Sequence, residues 1–147
     1  MSYDKRNDIV YETCVILVRH FRNLIKGGRR GFHSRIFSYM LHPEDEFVNA
    51  GRSVKATTET PTHPEHVVPC AVLISESCRL IEEGALSDEE IASLLQKHWK
   101  IATIAKFEQE YLDSELKYKS VMPSGWTFEN GDTFARLDEA GISLALA

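Results

Sequence analysis

The segment Pro69-Cys-Ala-Val-Leu-Ile-Ser-Glu-Ser-Cys-Arg-Leu-Ile-Glu-Glu-Gly84 decides the architecture, because its apolar residues recur at helical spacing. Proline suits a first helical turn and the glycine ends the pattern, so we predict a helix over residues 69–83. The run Ser87-Asp-Glu-Glu90 that follows is a capping-box pattern, in which a serine hydroxyl and a later glutamate satisfy exposed backbone amides. It predicts that a second helix begins directly after the first.

Apolar residues at similar spacing predict further helices on both sides of this segment. Alternating apolar residues indicate a strand near 99–104, and we expect a second β segment within 54–68. The predicted fold class is therefore mainly α (α+β): a single domain, residues 1–147, of about five helices with a small β element. The predicted helices are 8–25, 34–41, 69–83, 87–98 and 106–116, with a brief helix at 133–140.

Length and composition agree with one globular domain. With 147 residues, 43% of them hydrophobic and 27% charged, the chain can bury a core and is unlike a disordered or collagenous protein. The net charge of −5 excludes a uniformly basic nucleic-acid coat. However, residues 1–40 carry 8 basic and 3 acidic side chains, whereas residues 41–147 carry 9 basic and 19 acidic ones. The N-terminal part, 1–41, is therefore predicted to be a basic, helical region of an acidic protein.

This region contains a dense group of cations, which we call the basic set. Its density is sufficient for contacts to phosphates, and Phe32, His33 and Tyr39 lie nearby in sequence for stacking on bases. Cations near the C-terminal end of a helix are also favourable with the helix dipole whatever the function, so both interpretations stay open. The basic set, which we predict to bind nucleic acid, comprises Arg19, Arg22, Lys26, Arg29, Arg30 and Arg35.

Cysteine usage indicates the cellular compartment. Three cysteines without CxxC spacing and a polar, charged N-terminal segment predict a reducing, cytoplasmic location. The longest apolar stretch, Cys14 to Val18, is too short to cross a bilayer, so we expect no membrane partner. Cys70 and Cys78 lie on one predicted helix beside its apolar stripe. We therefore expect both thiols to pack as small hydrophobic groups.

The segment Thr62-His-Pro-Glu-His-Val-Val-Pro69 gives the strongest indication of chemistry, because it places the carboxyl of Glu65 next to the imidazole of His66, with His63 close by. Neighbouring residues of a strand face opposite sides, but a twisted or bulged strand lets the acid hold a metal while the imidazole takes a proton from water. The alternative is a solvent-exposed loop histidine beside an unrelated acid.

The run Glu65-His-Val-Val-Pro69 resembles the first motif of HNH endonucleases, in which a strand ends in an acid, a histidine, two aliphatic residues and a proline. In that family the histidine is the general base and the acid binds a divalent metal. The stretch Ile101-Ala-Thr-Ile-Ala-Lys-Phe-Glu-Gln-Glu-Tyr-Leu-Asp113 is similar to the strand-to-helix half of the same ββα unit. The resemblance covers residues 62–116 and implies that His66 is the catalytic base.

The chain departs from the HNH pattern at three positions. Lys100 stands where the family has the asparagine that orients the base, and Gln109 and Asp113 stand where the helix has histidines. Of these residues, Asp113 keeps the capacity to bind a metal.

A divalent metal, Mg²⁺, Mn²⁺ or Zn²⁺, is the cofactor that this interpretation implies, because each ion stabilises charge on a phosphoryl oxygen and acidifies water. Oxygen ligands are available from Glu65, Glu108 or Asp113, and nitrogen ligands from His63, His66 or His98. The predicted ligand set is Glu65, Asp113 and His63.

The sequence therefore predicts a metal-dependent HNH-like nuclease, or a nuclease-derived nucleic-acid-binding protein, that hydrolyses phosphodiester bonds. The alternative is a non-enzymatic, protein-binding inhibitor or accessory factor of phage or plasmid type, whose acidic body mimics or repels nucleic acid. Charge reversal at four acids would test that alternative. A metabolic enzyme has little support, because no dinucleotide-binding, P-loop, zinc-protease or serine-hydrolase motif occurs. The four acids are Glu82, Glu83, Glu89 and Glu90.

Overall fold

The computed structural model describes residues 1–29 and 32–145, in which helices dominate and the β component is one three-stranded sheet. This confirms the prediction of a mainly α, α+β fold. Within the described part of the chain, no helix has both the length and the apolar character needed to cross a membrane. The helices are α1 (Tyr3–Lys26), α2 (Ile36–Met40), α3 (Asp45–Val48), α4 (Cys70–Glu83), α5 (Asp88–His98), α6 (Lys106–Glu110) and α7 (Ala135–Glu139). The strands are β1 (Asn49–Arg52), β2 (Thr62–His66) and β3 (Ile101–Ala105), and a π-helical turn, Tyr111–Glu115, continues α6.

The main core lies between α1, α4 and α5, which pack against one another. Trp99 follows α5 and is fully buried; its ring meets that of Phe37 edge to face, with centroids 5.0 Å apart. Burial of apolar surface of this kind contributes about 25 cal/mol for each Å² removed from water. Fully buried side chains of this core include Val18, Phe21, Leu73, Ile91 and Leu95.

α1 begins at Tyr3, earlier than the predicted start at residue 8. The side-chain oxygen of Ser2 caps the helix by accepting a hydrogen bond from the backbone N–H of Lys5 at 3.2 Å. The first turn is exposed. Because this turn does not pack against the core, its residues show no apolar repeat from which a helix could be predicted.

The central helices end and begin where the sequence predicts. α4 ends before Gly84, whose φ of 72° lies in the left-handed region that glycine adopts without strain. At the start of α5, Ser87 Oγ accepts a hydrogen bond from the amide of Glu90 at 3.1 Å. The Glu90 carboxylate accepts one from the amide of Ser87 at 3.0 Å. The predicted capping box is therefore confirmed.

The sheet has the strand order β1-β3-β2, with β1 parallel and β2 antiparallel to the central strand β3. In the antiparallel pair Glu65 lies opposite Ala102, and His66 lies opposite Ile101. The helical pair α4–α5 is inserted between β2 and β3. Because β3 continues directly into α6, the sheet and α6 form a β-β-α arrangement around the Glu65–His66 pair.

The β segment predicted within 54–68 is confirmed as β2. β2 occupies the end of the predicted range, whereas Val54 and Lys55 at its start lie in a turn. A further strand, β1, lies earlier in the chain, at Asn49–Arg52. Residues 49–52 have no alternating apolar pattern. They become a strand because β3, distant in sequence, supplies the hydrogen-bonding edge, so the signal for β1 is tertiary rather than local.

A second, smaller apolar cluster connects the sheet with the helices after it. Residues from β3, the π-helical turn and α7 meet there, so β3 is covered on both faces. The buried members are Val67, Ala102, Ile104, Leu112, Leu137 and Ile142.

We expect Ser87→Ala to lower the free energy of unfolding by about 1 kcal/mol, because the first turn of α5 loses its side-chain cap. The measurement is urea unfolding followed by far-UV circular dichroism. Ser93→Ala is the matched control, because Ser93 is an exposed residue in the middle of the same helix and alanine is a better helix former. Equal stability losses in the two variants would contradict the role of the cap.

Candidate functional site

The candidate site is built on the end of β2, where the sequence predicts a catalytic histidine. His66 is the last residue of β2, and its Nε2 lies 2.6 Å from Oε2 of Glu44. The same carboxylate oxygen accepts a hydrogen bond from Trp99 Nε1 at 2.7 Å. Glu44 is 7% exposed, so its carboxylate is fixed from two sides. In this structure a buried glutamate thus orients the histidine, a role that the family resemblance gives to an asparagine.

A second side chain, Cys70, is half-buried and lines the same cleft as His66. Burial alone lowers the pKa of His66, but hydrogen bonding and charge from Cys70 and Glu44 outweigh it and raise that pKa to about 10. His66 is therefore an imidazolium at neutral pH. A general base must be neutral, so the predicted role of His66 in activating water requires that this proton first be lost.

The predicted metal ligand Glu65 faces an arginine. Its carboxylate lies 3.4 Å from the guanidinium of Arg136, which comes from α7 and is 1% exposed. His63 approaches the other oxygen of Glu65, with 3.5 Å between His63 Nε2 and Oε2. Burial raises the pKa of the Glu65 carboxyl, and the charge of Arg136 opposes that rise. The guanidinium also donates hydrogen bonds to backbone carbonyls, including that of Tyr118 at 2.9 Å.

The remaining predicted ligand, Asp113, acts electrostatically on both Glu65 and Arg136. Among the predicted ligands, Glu65 is therefore paired with a guanidinium rather than left available to a metal. Among residues 1–29 and 32–145, no group of three or more histidine, cysteine, aspartate or glutamate side chains has the arrangement needed to hold a metal ion.

The other two residues considered as ligands have structural roles. Glu108 Oε1 accepts hydrogen bonds from Ser53 Oγ at 2.6 Å and from the amide of Ala105 at 2.9 Å, which caps α6. His98 is completely buried; its two ring nitrogens lie 2.8 Å from Thr133 Oγ1 and 3.0 Å from the carbonyl oxygen of Phe128. Burial lowers the pKa of His98, which favours the neutral ring of a core histidine.

The basic set divides into two groups. Arg19 and Arg22 join α1 to α5: Arg22 Nη2 lies 2.6 Å from Asp88 Oδ1, and Arg19 Nη2 lies 3.1 Å from Glu89 Oε1. These two arginines serve the packing of helices. Lys26, Arg29 and Arg35 are exposed, and Arg30 lies outside the described residues.

The acidic residues whose charge reversal would test the protein-binding alternative also make contacts within the chain. Glu83 pairs with Arg79 at 2.9 Å, Glu89 with Arg19, and Glu90 belongs to the capping box. Charge reversal at these acids would therefore disturb internal contacts as well as any protein interface.

An open cleft of about 520 Å³ passes over the site. Four of its residues carry or can carry positive charge, and Cys70 and Glu65 lie beside them. Lys119 is exposed at the rim, whereas Arg136 lies at the base. The lining residues used below are Ser34, His63, Glu65, His66, Cys70, Lys119 and Arg136.

Sequence reasoning missed three residues of this site. Glu44 and Arg136 come from segments far from β2 in sequence, and neither carries a local motif. The position of Cys70 in the cleft had a usable signal, because Cys70 follows Pro69 at the predicted start of α4, four residues after His66. The expected role of Cys70 as a packed hydrophobic group is confirmed, because Cys70 is half-buried and packs against the main core, and Cys78 is buried.

Comparisons with protein families, with curated proteins and with solved structures found no match to this chain.

We expect Glu44→Gln to flatten the pH dependence of stability in the alkaline range. Because the pKa of folded His66 is above its unfolded value of about 6.5, the charged ring stabilises the wild type fully below about 6.5. That contribution is lost as pH rises through about 10. Glutamine can still accept from Trp99 but removes the charge that holds the proton. The measurement is urea unfolding over this pH range, together with NMR titration of the His66 ring.

His20→Gln is the control, because His20 is an exposed histidine of α1. It should leave the pH profile of the wild type unchanged. Parallel profiles for the wild type and Glu44→Gln would contradict the proposed His66–Glu44 ion pair.

Proposed function

We propose that this chain is a nuclease-derived protein that binds nucleic acid, with a backbone phosphate held in the cleft at the end of β2. The single observation that carries the proposal is the placement of His66, Lys119 and Arg136 in one cleft beside the β-β-α arrangement. In this proposal the guanidinium of Arg136 takes the position that a divalent metal has in HNH enzymes.

Electrostatics favours an anionic ligand in the cleft. His66 is charged at neutral pH because its pKa is raised to about 10, and Lys119 adds an exposed ammonium. Arg136 is paired with Glu65 and His66 with Glu44, so both contribute charge behind the site while the exposed Lys119 makes the direct contact. Charge-assisted hydrogen bonds to phosphate are among the stronger polar contacts that proteins form.

One exposed member of the basic set, Arg35, lies next to the cleft in the chain. Ser34 lines the cleft, and Arg35 is the next residue in the chain. Consecutive phosphates of a nucleic-acid strand can contact several separated cations of a protein, and each contact adds to the salt dependence of binding. A strand whose phosphate occupies the cleft therefore reaches Arg35 within a few nucleotides.

The same contacts favour binding over hydrolysis. A water-activating histidine has to be neutral, and a metal-binding carboxylate has to be available to the metal. Here His66 is protonated and Glu65 is paired with Arg136. Cleavage in the manner of an HNH nuclease would require His66 to lose its proton and Glu65 to separate from Arg136.

Fluorescence anisotropy with labelled single- and double-stranded DNA and RNA oligonucleotides tests the proposal. We expect salt-dependent binding of at least one of these ligands. Lys119→Ala should weaken it roughly uniformly over sequences and reduce the slope of log K against log salt by about 1. The control is Lys97→Ala, because Lys97 is an exposed lysine that does not line the cleft.

Absence of salt-dependent binding to all four ligands, or equal behaviour of the two lysine variants, would overturn the proposal. A plasmid-nicking assay with Mg²⁺, Mn²⁺ or EDTA distinguishes the catalytic form of the hypothesis. Nicking that EDTA and His66→Gln both abolish would replace the binding function by metal-dependent hydrolysis.

A further inference from the structure

An open groove of about 840 Å³ adjoins the cleft that contains His66. The groove and the cleft share Ser34 and Ala71 as lining residues, so a ligand that occupies the cleft extends directly into the groove. The proposed function uses the cleft alone and gives the groove no role.

One wall of the groove is aromatic. The half-buried Phe32 packs its ring against that of Phe21 in the main core, with centroids 4.6 Å apart. His33 is exposed, and its Nδ1 accepts a hydrogen bond from the amide of Arg35 at 3.1 Å, which orients the ring. Both rings are therefore held in position by other parts of the chain, without a ligand.

A second wall of the groove is one face of α4. Its lining residues are three or four positions apart, which places them on the same side of the helix: Ala71, Ile74, Ser75 and Cys78. Ala71 and Ser75 are exposed and small, so this wall leaves room for a ligand beside the aromatic rings. A space bounded by aromatic and apolar side chains favours a flat ring system that can stack.

The groove and the cleft differ in charge. In the groove Arg79 pairs with Glu76 at 2.7 Å, with Glu83 at 2.9 Å and with Glu129, so three carboxylates surround one guanidinium. The cleft instead carries the exposed ammonium of Lys119. A phosphate is therefore repelled from the groove and attracted to the cleft. A ligand with an anionic end and an uncharged ring binds in one orientation only.

We propose that the groove is a nucleobase subsite, in which an unpaired base stacks on Phe32 and His33 while the adjacent phosphate lies in the cleft. The subsite rests on the proposed function, because the phosphate in the cleft positions the base. It narrows the ligand class from nucleic acid in general to single strands. A base inside a duplex is stacked and paired, so it has to leave the helix before it can enter the groove.

Fluorescence anisotropy with three labelled ligands tests the subsite: a short oligothymidylate, an abasic strand with the same number of phosphates, and a blunt duplex of the same length. We expect the oligothymidylate to bind about tenfold more tightly than the abasic strand, because stacking of one base on aromatic side chains is commonly of that size. The two single strands should show the same salt dependence, since they present the same phosphates. The duplex should bind more weakly than the oligothymidylate.

The double variant Phe32→Leu/His33→Ala removes both rings, while leucine keeps apolar bulk against Phe21. It should bind the oligothymidylate about tenfold more weakly and the abasic strand as the wild type does. His20→Ala is the matched control, because His20 is an exposed histidine outside the groove. If circular dichroism shows that the double variant is unfolded, Ser75→Leu narrows the groove from α4 and should reduce the difference between the two strands.

Photocrosslinking locates the base without any substitution in the protein. The probe is an oligothymidylate that carries 5-iodouracil, and peptide mass spectrometry should find the crosslink at Phe32 or His33. A crosslink that maps outside the groove would overturn the subsite.

Equal affinity of the wild type for the oligothymidylate and the abasic strand would also overturn it, as would binding of the duplex alone. The proposed function survives these results if binding is salt-dependent and Lys119→Ala weakens it. Absence of salt-dependent binding to every strand and duplex rejects the subsite together with the proposed function.

Discussion

The buried carboxylate of Glu44 joins the candidate site to the main core. One of its oxygens receives the indole N–H of Trp99 from the main core and lies against the imidazole of His66 at the edge of the sheet. Without this acceptor, two polar groups from different parts of the fold would lose their partner, and a buried unsatisfied group typically costs about 1–3 kcal/mol. A single side chain therefore fixes the candidate site to the helical layer, so that the position of the imidazole follows the packing of Trp99.

The helical part of the fold could be predicted because its signals are local. The apolar stripe of α4, its terminal glycine and the capping box of α5 are all contained in residues 69–90, and each of them determines a nearby backbone conformation. β1 could not be predicted in the same way. Its pairing with β3 joins residues about fifty positions apart, and residues 49–52 carry no alternating pattern that marks a strand.

In the candidate site, too, the features with a local signal could be predicted and those that depend on distant residues could not. The adjacent Glu65 and His66 are visible in the sequence, and the structure does place them in one cleft. The groups that act on them come from other segments: Cys70 and Glu44 raise the pKa of His66, and Arg136 pairs with Glu65. Glu44 and Arg136 are distant in sequence and have no motif, so spacing alone could not reveal that the predicted metal ligand Glu65 faces a guanidinium.

The insertion of α4 and α5 between β2 and β3 has a consequence for how the molecule assembles. Glu65 and Ala102 are paired across the sheet, yet the whole helical pair separates them along the chain. Closing such a long loop costs conformational entropy before strand pairing compensates for it, and contacts of this range form slowly in folding. A prior docking of α4 onto α5 shortens the effective loop. Pairing of β2 with β3 therefore costs less conformational entropy once α4 and α5 have packed together.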